Sequence, residues 1–489
     1  MAAAGAGRRA ALLGALLGAA APWNRGPPRR PHQLAAFSAV VPRRPEQSCA
    51  RQGRFGRGPA RRELRSRRAS APAEGGELVE TGPVPASLNL AKNLVGSGIL
   101  SLPSGVAAFS SRAAAVGPSV VLVLLAALLG AYGFWLIGKV CAETGTSTFG
   151  SAWEKTVRRG AWVPQLVCVL ECLGGSVVYA MVLGDVFSGL LAGVGGVPAF
   201  LAARSTLIVA IAAVVLYPLC CLRSFGSLAK FSALGTMATT YVLFFVGKRC
   251  LDGSYALGGR FYNAALSAPL LPLDSLANVR MLILVSILST AFLVHFNAPQ
   301  MYTELQPSGT DLPAPERQRK LRRFGLVAAA GFGIAALQYA GVMAFGFLTF
   351  GRHTEGNVLL NYATSDPLAW AARAAVGLST LFGYPMQFAG LRAGILEWAG
   401  VGSLPKAQHR ALTALLLAAA VSVACAFRDL GQFQAIEGAL LAAFLIYVAP
   451  PAMALCLNPR PAEKARLVSL SVLGVLLAVI GCVVTARWG

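Results

Sequence analysis

The chain has 489 residues, of which 55% are hydrophobic and only 13% charged. Soluble proteins carry about 25% charged residues to hold their surfaces in water, so a string of soluble domains is excluded in favour of a membrane protein. The formal net charge of +23 would suit nucleic acid, but no stacking aromatics, RNA motif or zinc spacing accompany the arginines, and no nucleic-acid partner is expected.

The charge is concentrated at the front, where residues 1–70 hold 15 Arg, no Lys and two acids, Glu46 and Glu63. Ala11–Ala21 is an apolar run of 11 residues. It is too short to cross the hydrocarbon core but suits a signal-peptide h-region. Residues 22–73 are rich in Arg, Ala, Pro and Ser and poor in acids, as organelle transit peptides are. Residues 1–80 therefore read as a disordered leader. It is either a bipartite signal and transit peptide for an organelle such as a plastid, or a cytosolic tail on a protein of the plasma or vacuolar membrane. Residues 81–489 read as one transmembrane domain.

Eleven apolar segments in that domain are long enough to cross a bilayer as helices. They lie near 86–109, 117–139, 164–191, 205–221, 231–249, 280–304, 324–350, 370–392, 410–427, 432–456 and 467–486. With the N-terminus inside, inner loops hold 17 Lys and Arg and the outer side holds 10, the leader excluded. This bias orients the chain N-inside and C-outside. The basic stretch Glu316–Arg323 reads as the most decisive inner loop.

The first span contains Gly96-Ser97-Gly98 and then Pro103. Two glycines around a small polar residue are poor helix formers. A membrane helix that opens there frees N–H and C=O groups, tolerated only where they line a cavity. Alternatively, the same residues form a small-residue packing face. The sixth span carries His295-Phe-Asn-Ala-Pro299, a second candidate break. Interruptions at matching positions of two halves point to a transport site. Ionisable groups inside spans are the candidates for ion coupling: Glu171 and Asp185 in the third, His295 in the sixth and Glu437 in the tenth. Each also has a structural alternative, an ion pair or a hydrogen bond between helices. Eight of the ten Cys sit within apolar runs, where Cys acts as a small apolar filler. No metal site and no bound cofactor are expected.

Several stretches resemble the amino acid/auxin permease family. They are Ser87–Pro103, Leu222–Gly235, His295–Pro299 with Tyr302 and Glu304, Gly356–Asn361, Gly383–Phe388 and the Pro450-Pro451 pair. The resemblance covers residues 85–487. It implies an all-α integral membrane fold: about eleven helices in a LeuT-type five-plus-five inverted repeat, with broken first and sixth helices and one extra helix. It also implies secondary transport of amino acids. Gly96, Ser97, Gly98 and Ile99 would line the substrate site from the first helix, and His295, Phe296 and Asn297 from the sixth. Sodium-coupled members tend to carry Asn where this chain has Lys92, whose ammonium could stand in for the cation. Lys92 could also snorkel to the inner interface. The resemblance thus implies a co-transported proton, with sodium as the alternative, for which Ser379 and Thr380 are the candidate ligands.

The sequence lacks His-Glu-x-x-His, Gly-x-Ser-x-Gly and a P-loop, so an enzyme is not expected. A non-transporting amino acid sensor would use the same pocket. The expected partners are a small amino acid and the lipid bilayer, and the oligomeric state is left open.

Overall fold

The computed structural model describes residues 81–488 apart from 195, 197, 223–231, 265–277, 311 and 403. The leader expected over residues 1–80 and most of the Leu222–Gly235 motif lie outside the described residues. Within them the chain is helical throughout, and the β-structure is one isolated bridge between Thr81 and Leu305.

Among the described residues a helix, whole or interrupted, lies at each of the eleven expected segments. The first is split into Pro83–Leu94 and Ser97–Ala107. The second is Val116–Thr144, the third Trp162–Ala192 and the fourth Arg204–Cys220. The fifth is Ser232–Leu251, and the sixth runs from Met281 to Glu304 with an interruption. Ala314–Phe350, Pro367–Ala399 and Lys406–Ala426 form the seventh to ninth. Leu430–Leu455 and Pro461–Trp488 complete the set. Seven of these helices are long and apolar enough to cross alone. The first is in two pieces, the fourth is short, and the fifth and eighth are long but less apolar.

Helix ends follow from local chemistry. Asp366 and Asp429 accept from the backbone N–H of Leu368 and Gln432 and so start the eighth and tenth spans. Gly145 and Gly400, at φ 63° and 69°, end the second and eighth in the left-handed conformation that glycine adopts without strain. Below the bilayer Thr148 caps a short helix, Phe149–Thr156.

The third span packs mainly against the eighth, and the second and first against the seventh. Small residues permit the close approach that helices in lipid need. A Cβ on Gly331 would lie 2.7 Å from Leu90, and one on Gly130 2.6 Å from Phe332.

The seventh span differs from expectation. Glu316–Arg323 is not a loop but the opening turns of the helix, which begins at Ala314. An apolar count stops at charge, whereas a helix continues into water where its charged turns are solvated. One of those charges is not solvated at all. Lys320 is fully buried, and its ammonium donates to the carbonyls of Thr303 at 3.3 Å, Pro307 at 2.7 Å and Gly309 at 2.8 Å. It also lies 4.7 Å from the Tyr302 ring. The cation thus satisfies carbonyls at and beyond the C-terminal end of the sixth span. Replacing Lys320 by Met is expected to leave them unsatisfied at a cost of about 1–3 kcal/mol. The expected readout is a lower thermal midpoint in detergent, with no such drop for exposed Arg322→Ala.

Candidate functional site

The first span loses its helix after Leu94. Val95 (φ −79°, ψ 84°) and Gly96 (φ −112°, ψ −152°) are non-helical, and helix resumes at Ser97 with no side-chain cap on its first N–H groups. The sixth span stops at Ala291, turns through Phe292–Val294 and resumes at His295, with Pro299 in the first turn of the following α-helix. Pro is tolerated there because a first-turn N–H has no helical partner anyway. The two breaks touch: a Cβ on Gly98 would stand 3.3 Å from the Ala291 Cα.

Each break leaves carbonyls without their helical partners, and a single side chain lies within reach of one at each break. Its one O–H proton is shared between them, while the Gly96 N–H also donates to the Leu94 carbonyl. The Tyr339 hydroxyl, from the middle of the seventh span, lies 2.6 Å from the Leu94 carbonyl and 2.7 Å from the Ala291 carbonyl. Its ring packs edge-on against Phe292 at 4.9 Å between centroids, and the residue is fully buried.

Between the breaks lies a cavity of about 270 Å³, lined by the first, third, fifth, sixth, eighth and tenth spans. Of the expected substrate residues, Gly96, Ser97, Gly98, Ile99, Phe296 and Asn297 line it. So do Lys92, Glu171, Glu437, Ser379 and Thr380 among the ion-coupling candidates. The cavity reaches Asn93 and Gly235, the latter in the first turn of the fifth span. Arg249, in the last turn of the fifth, binds Asp366 at 2.7 Å. Burial alone would raise the Asp366 carboxyl, but the bonds from Arg249 and Tyr255 hold it below its ordinary value.

Two expected site residues are elsewhere. His295 is fully buried but does not line the cavity. Its Nε2 lies 2.9 Å from the Gly130 carbonyl. A carbonyl only accepts, so Nε2 carries the proton. The ring stands between Phe134 and Phe332, each at 5.9 Å. The structural alternative, a hydrogen bond between helices, describes this histidine. Asp185 likewise stands outside the cavity, bound to Arg204 at 2.6 Å and accepting from the Asn357 amide at 3.2 Å. Arg204 also donates to the Ala424 and Phe427 carbonyls, so Asp185 holds the outer ends of four segments together.

The two remaining carboxyls are unlike Asp185. Among the described residues neither Glu171 nor Glu437 has an ion pair, and Lys92 reaches neither of them. Glu171 Oε2 and both Glu437 carboxyl oxygens are buried without a hydrogen-bond partner. A glycine pair in the third span makes room for their neighbourhood. A Cβ on Gly174 would collide with the Glu437 carboxyl, and one on Gly175 with the Gln387 amide. Tyr339, Gln387, Gln434 and this glycine pair were missed in the sequence. Only the adjacent glycines carried a visible signal, as a weak point in an otherwise apolar helix.

Broken helices paired across a central cavity define a membrane transporter of the inverted-repeat type. Solved structures of that architecture match the chain. The inward-facing conformation of Mhp1 superimposes with a TM-score of 0.53 at 15% identity, covering 83% of this chain and 90% of that one. A manganese transporter of Eremococcus coleocola gives a TM-score of 0.50 at 15% identity, covering 86% and 88%. The chain belongs to the transmembrane amino acid transporter protein family, which it matches over residues 80–488. Its members are transporters rather than enzymes. Relatives include the "Putative sodium-coupled neutral amino acid transporter 11" of Danio rerio, 26% identical over 82% of this chain and 85% of that protein. Amino acid transporter AVT6E of Arabidopsis thaliana is 24% identical, covering 81% and 82%. Vacuolar amino acid transporter 7 of Saccharomyces cerevisiae is 26% identical, covering 63% and 57%.

Tyr339→Phe keeps the ring and removes the hydroxyl that serves both breaks. Uptake of amino acids is expected to fall sharply while expression and helix content stay unchanged. Gly98→Val, which drives a branched side chain into Ala291, is expected to abolish uptake with expression retained. Near-normal uptake in both variants would contradict the assignment of the site to the breaks.

Proposed function

We propose that the protein moves amino acids by alternating access, driven by protons. The substrate would sit between the two breaks, against Gly96, Ser97, Gly98 and Ile99 from the first span and Phe296 and Asn297 from the sixth. The first N–H groups of the resumed first span would hold its carboxylate.

The observation that carries the proton reading is the carboxyl pair, Glu171 and Glu437, facing one cavity with no cation against it. An ionised carboxylate kept from water costs several kcal/mol unless a proton or a cation neutralises it. A transported proton meets that need at this place, and burial without a partner marks intramembrane groups that act in transport. Lys92 lines the same cavity and would occupy the place of a coupling cation. A second reading, sodium coupling, is favoured by Ser379 and Thr380, which present hydroxyls to the cavity; the Danio rerio relative is named for sodium. The composition of residues 1–80 suits an organelle membrane, such as that of a plastid, and equally a cytosolic tail on a protein of the plasma or vacuolar membrane; the Saccharomyces cerevisiae relative is named for the vacuole.

Glu437→Gln and Glu171→Gln mimic the proton-loaded carboxyl and cannot release it. Each is expected to keep exchange of labelled for unlabelled amino acid across a proteoliposome membrane and to lose accumulation driven by a proton gradient by about tenfold or more, the 10²–10⁴-fold range of a positioned proton-transfer group being the upper guide. Lys92→Ala is expected to weaken proton-driven accumulation or to make it depend on sodium. Variants with wild-type accumulation would sink the carboxyl pair as proton carrier. Binding without any exchange in the wild type would favour a sensor.

A further inference from the structure

The tenth span presents a polar group to the cavity that proton coupling does not use. Gln434 is 1% exposed to solvent, yet it lines the cavity. Its side-chain carbonyl Oε1 accepts from the Ser101 hydroxyl. Its backbone carbonyl accepts from Thr290 Oγ1 at 2.8 Å. Ser101 stands one turn beyond Gly98 in the first span, and Thr290 directly precedes the end of helix in the sixth. Gln434 is therefore held by both broken spans at once.

The Ser101 hydroxyl, which also lies 3.1 Å from the Gly98 carbonyl, tethers the side-chain Oε1, and the Thr290 hydroxyl holds the backbone. With Oε1 on Ser101, Nε2 is left without a hydrogen-bond partner among the described residues. The side chain lines the cavity, so an acceptor for this N–H can come from a molecule bound there. Nε2 donates and cannot accept, so it selects an oxygen rather than an ammonium. We propose that Gln434 Nε2 donates to the α-carboxylate of the bound amino acid, with Ser101 as the positioning residue that turns the amide towards it. The carboxylate is the acceptor common to all amino acids, and it would also meet the uncapped N–H groups of Ser97 and Gly98 nearby. This rests on the transporter reading and adds a substrate contact from the tenth span.

The test is a ligand-and-protein cycle on the purified full chain, read as equilibrium binding so that no gradient enters. Labelled standard amino acids are screened on the wild type, and the one bound best is compared with the amine that lacks its carboxylate. Three variants are used. Gln434→Glu keeps an acceptor for Ser101 and the backbone bond to Thr290 but replaces the donor with an acceptor. Gln434→Met removes the donor without adding charge, and Ser101→Ala removes the tether together with the hydroxyl's contact to the Gly98 carbonyl.

Affinity for every bound amino acid is expected to fall about tenfold to hundredfold in the two Gln434 variants, the range for a hydrogen bond to a charged group. It should fall less in Ser101→Ala. The preference for the amino acid over its amine should shrink by the same factor in Gln434→Met, because the contact that discriminates them is gone. A merely structural role would leave that preference unchanged, and an unchanged preference overturns the proposal. So does a loss confined to substrates with polar side chains. A wild type that binds no amino acid at all would instead bring down the transporter reading, and this inference with it.

Discussion

A bilayer offers no water to an unpaired backbone group, and every polar atom of a spanning segment must find its partner within the protein. Opening two helices at mid-membrane is therefore possible only where something replaces the lost bonds. In this protein one phenol shares its proton between carbonyls of the two breaks, and the Gly96 N–H adds a second donor at Leu94. Tyr339 reaches Leu94 and Ala291 from the seventh span, and the absence of a side chain at Gly98 brings the two breaks into contact. The cavity, the uncapped N–H groups beside it and the approach of the tenth span all follow from that arrangement. A helix that closed at either break would remove the site.

Much of this was legible in the sequence because breaks and spans leave local marks. Gly96-Ser97-Gly98 is poor in a helix interior, and Pro299 is suited only to a helix's first turn. The first and sixth spans are interrupted at or a few residues before them. Apolar runs located the spans to within a few residues, except where charged turns lengthened them, as at Ala314–Arg323. Direction was not legible. His295 follows a non-helical turn, so its angular position depends on the path of Phe292–Val294, which no periodicity reports. It faces Gly130 rather than the cavity. Asp185 faces Arg204 and Asn357, partners 19 and 172 residues away. Tyr339 and Gln434 are isolated polar residues in apolar helices, and only the fold brings them to the breaks.

The family relationship and the geometry bear on different questions. The family match over residues 80–488 establishes the kind of protein, and the broken helices show where a cavity opens between its spans. Neither speaks to the driving ion. That question turns on four intramembrane ionisable groups that a sequence treats alike and the structure divides. Asp185 is held by Arg204 and Asn357, and His295 bonds the Gly130 carbonyl through Nε2 while its buried Nδ1 has no partner among the described residues. Glu171 and Glu437 line the cavity and have no ion pair among the described residues, and it is this lack that the proposed proton would answer.

The central claim is that a proton supplies what those two carboxyls lack. The most direct measurement is accumulation of labelled amino acids in proteoliposomes under a proton gradient and, separately, under a sodium gradient of equal size. Accumulation with the proton gradient alone, unchanged by sodium, is the predicted result. Accumulation that requires sodium and ignores the proton gradient would contradict it and move the ion site to Ser379 and Thr380.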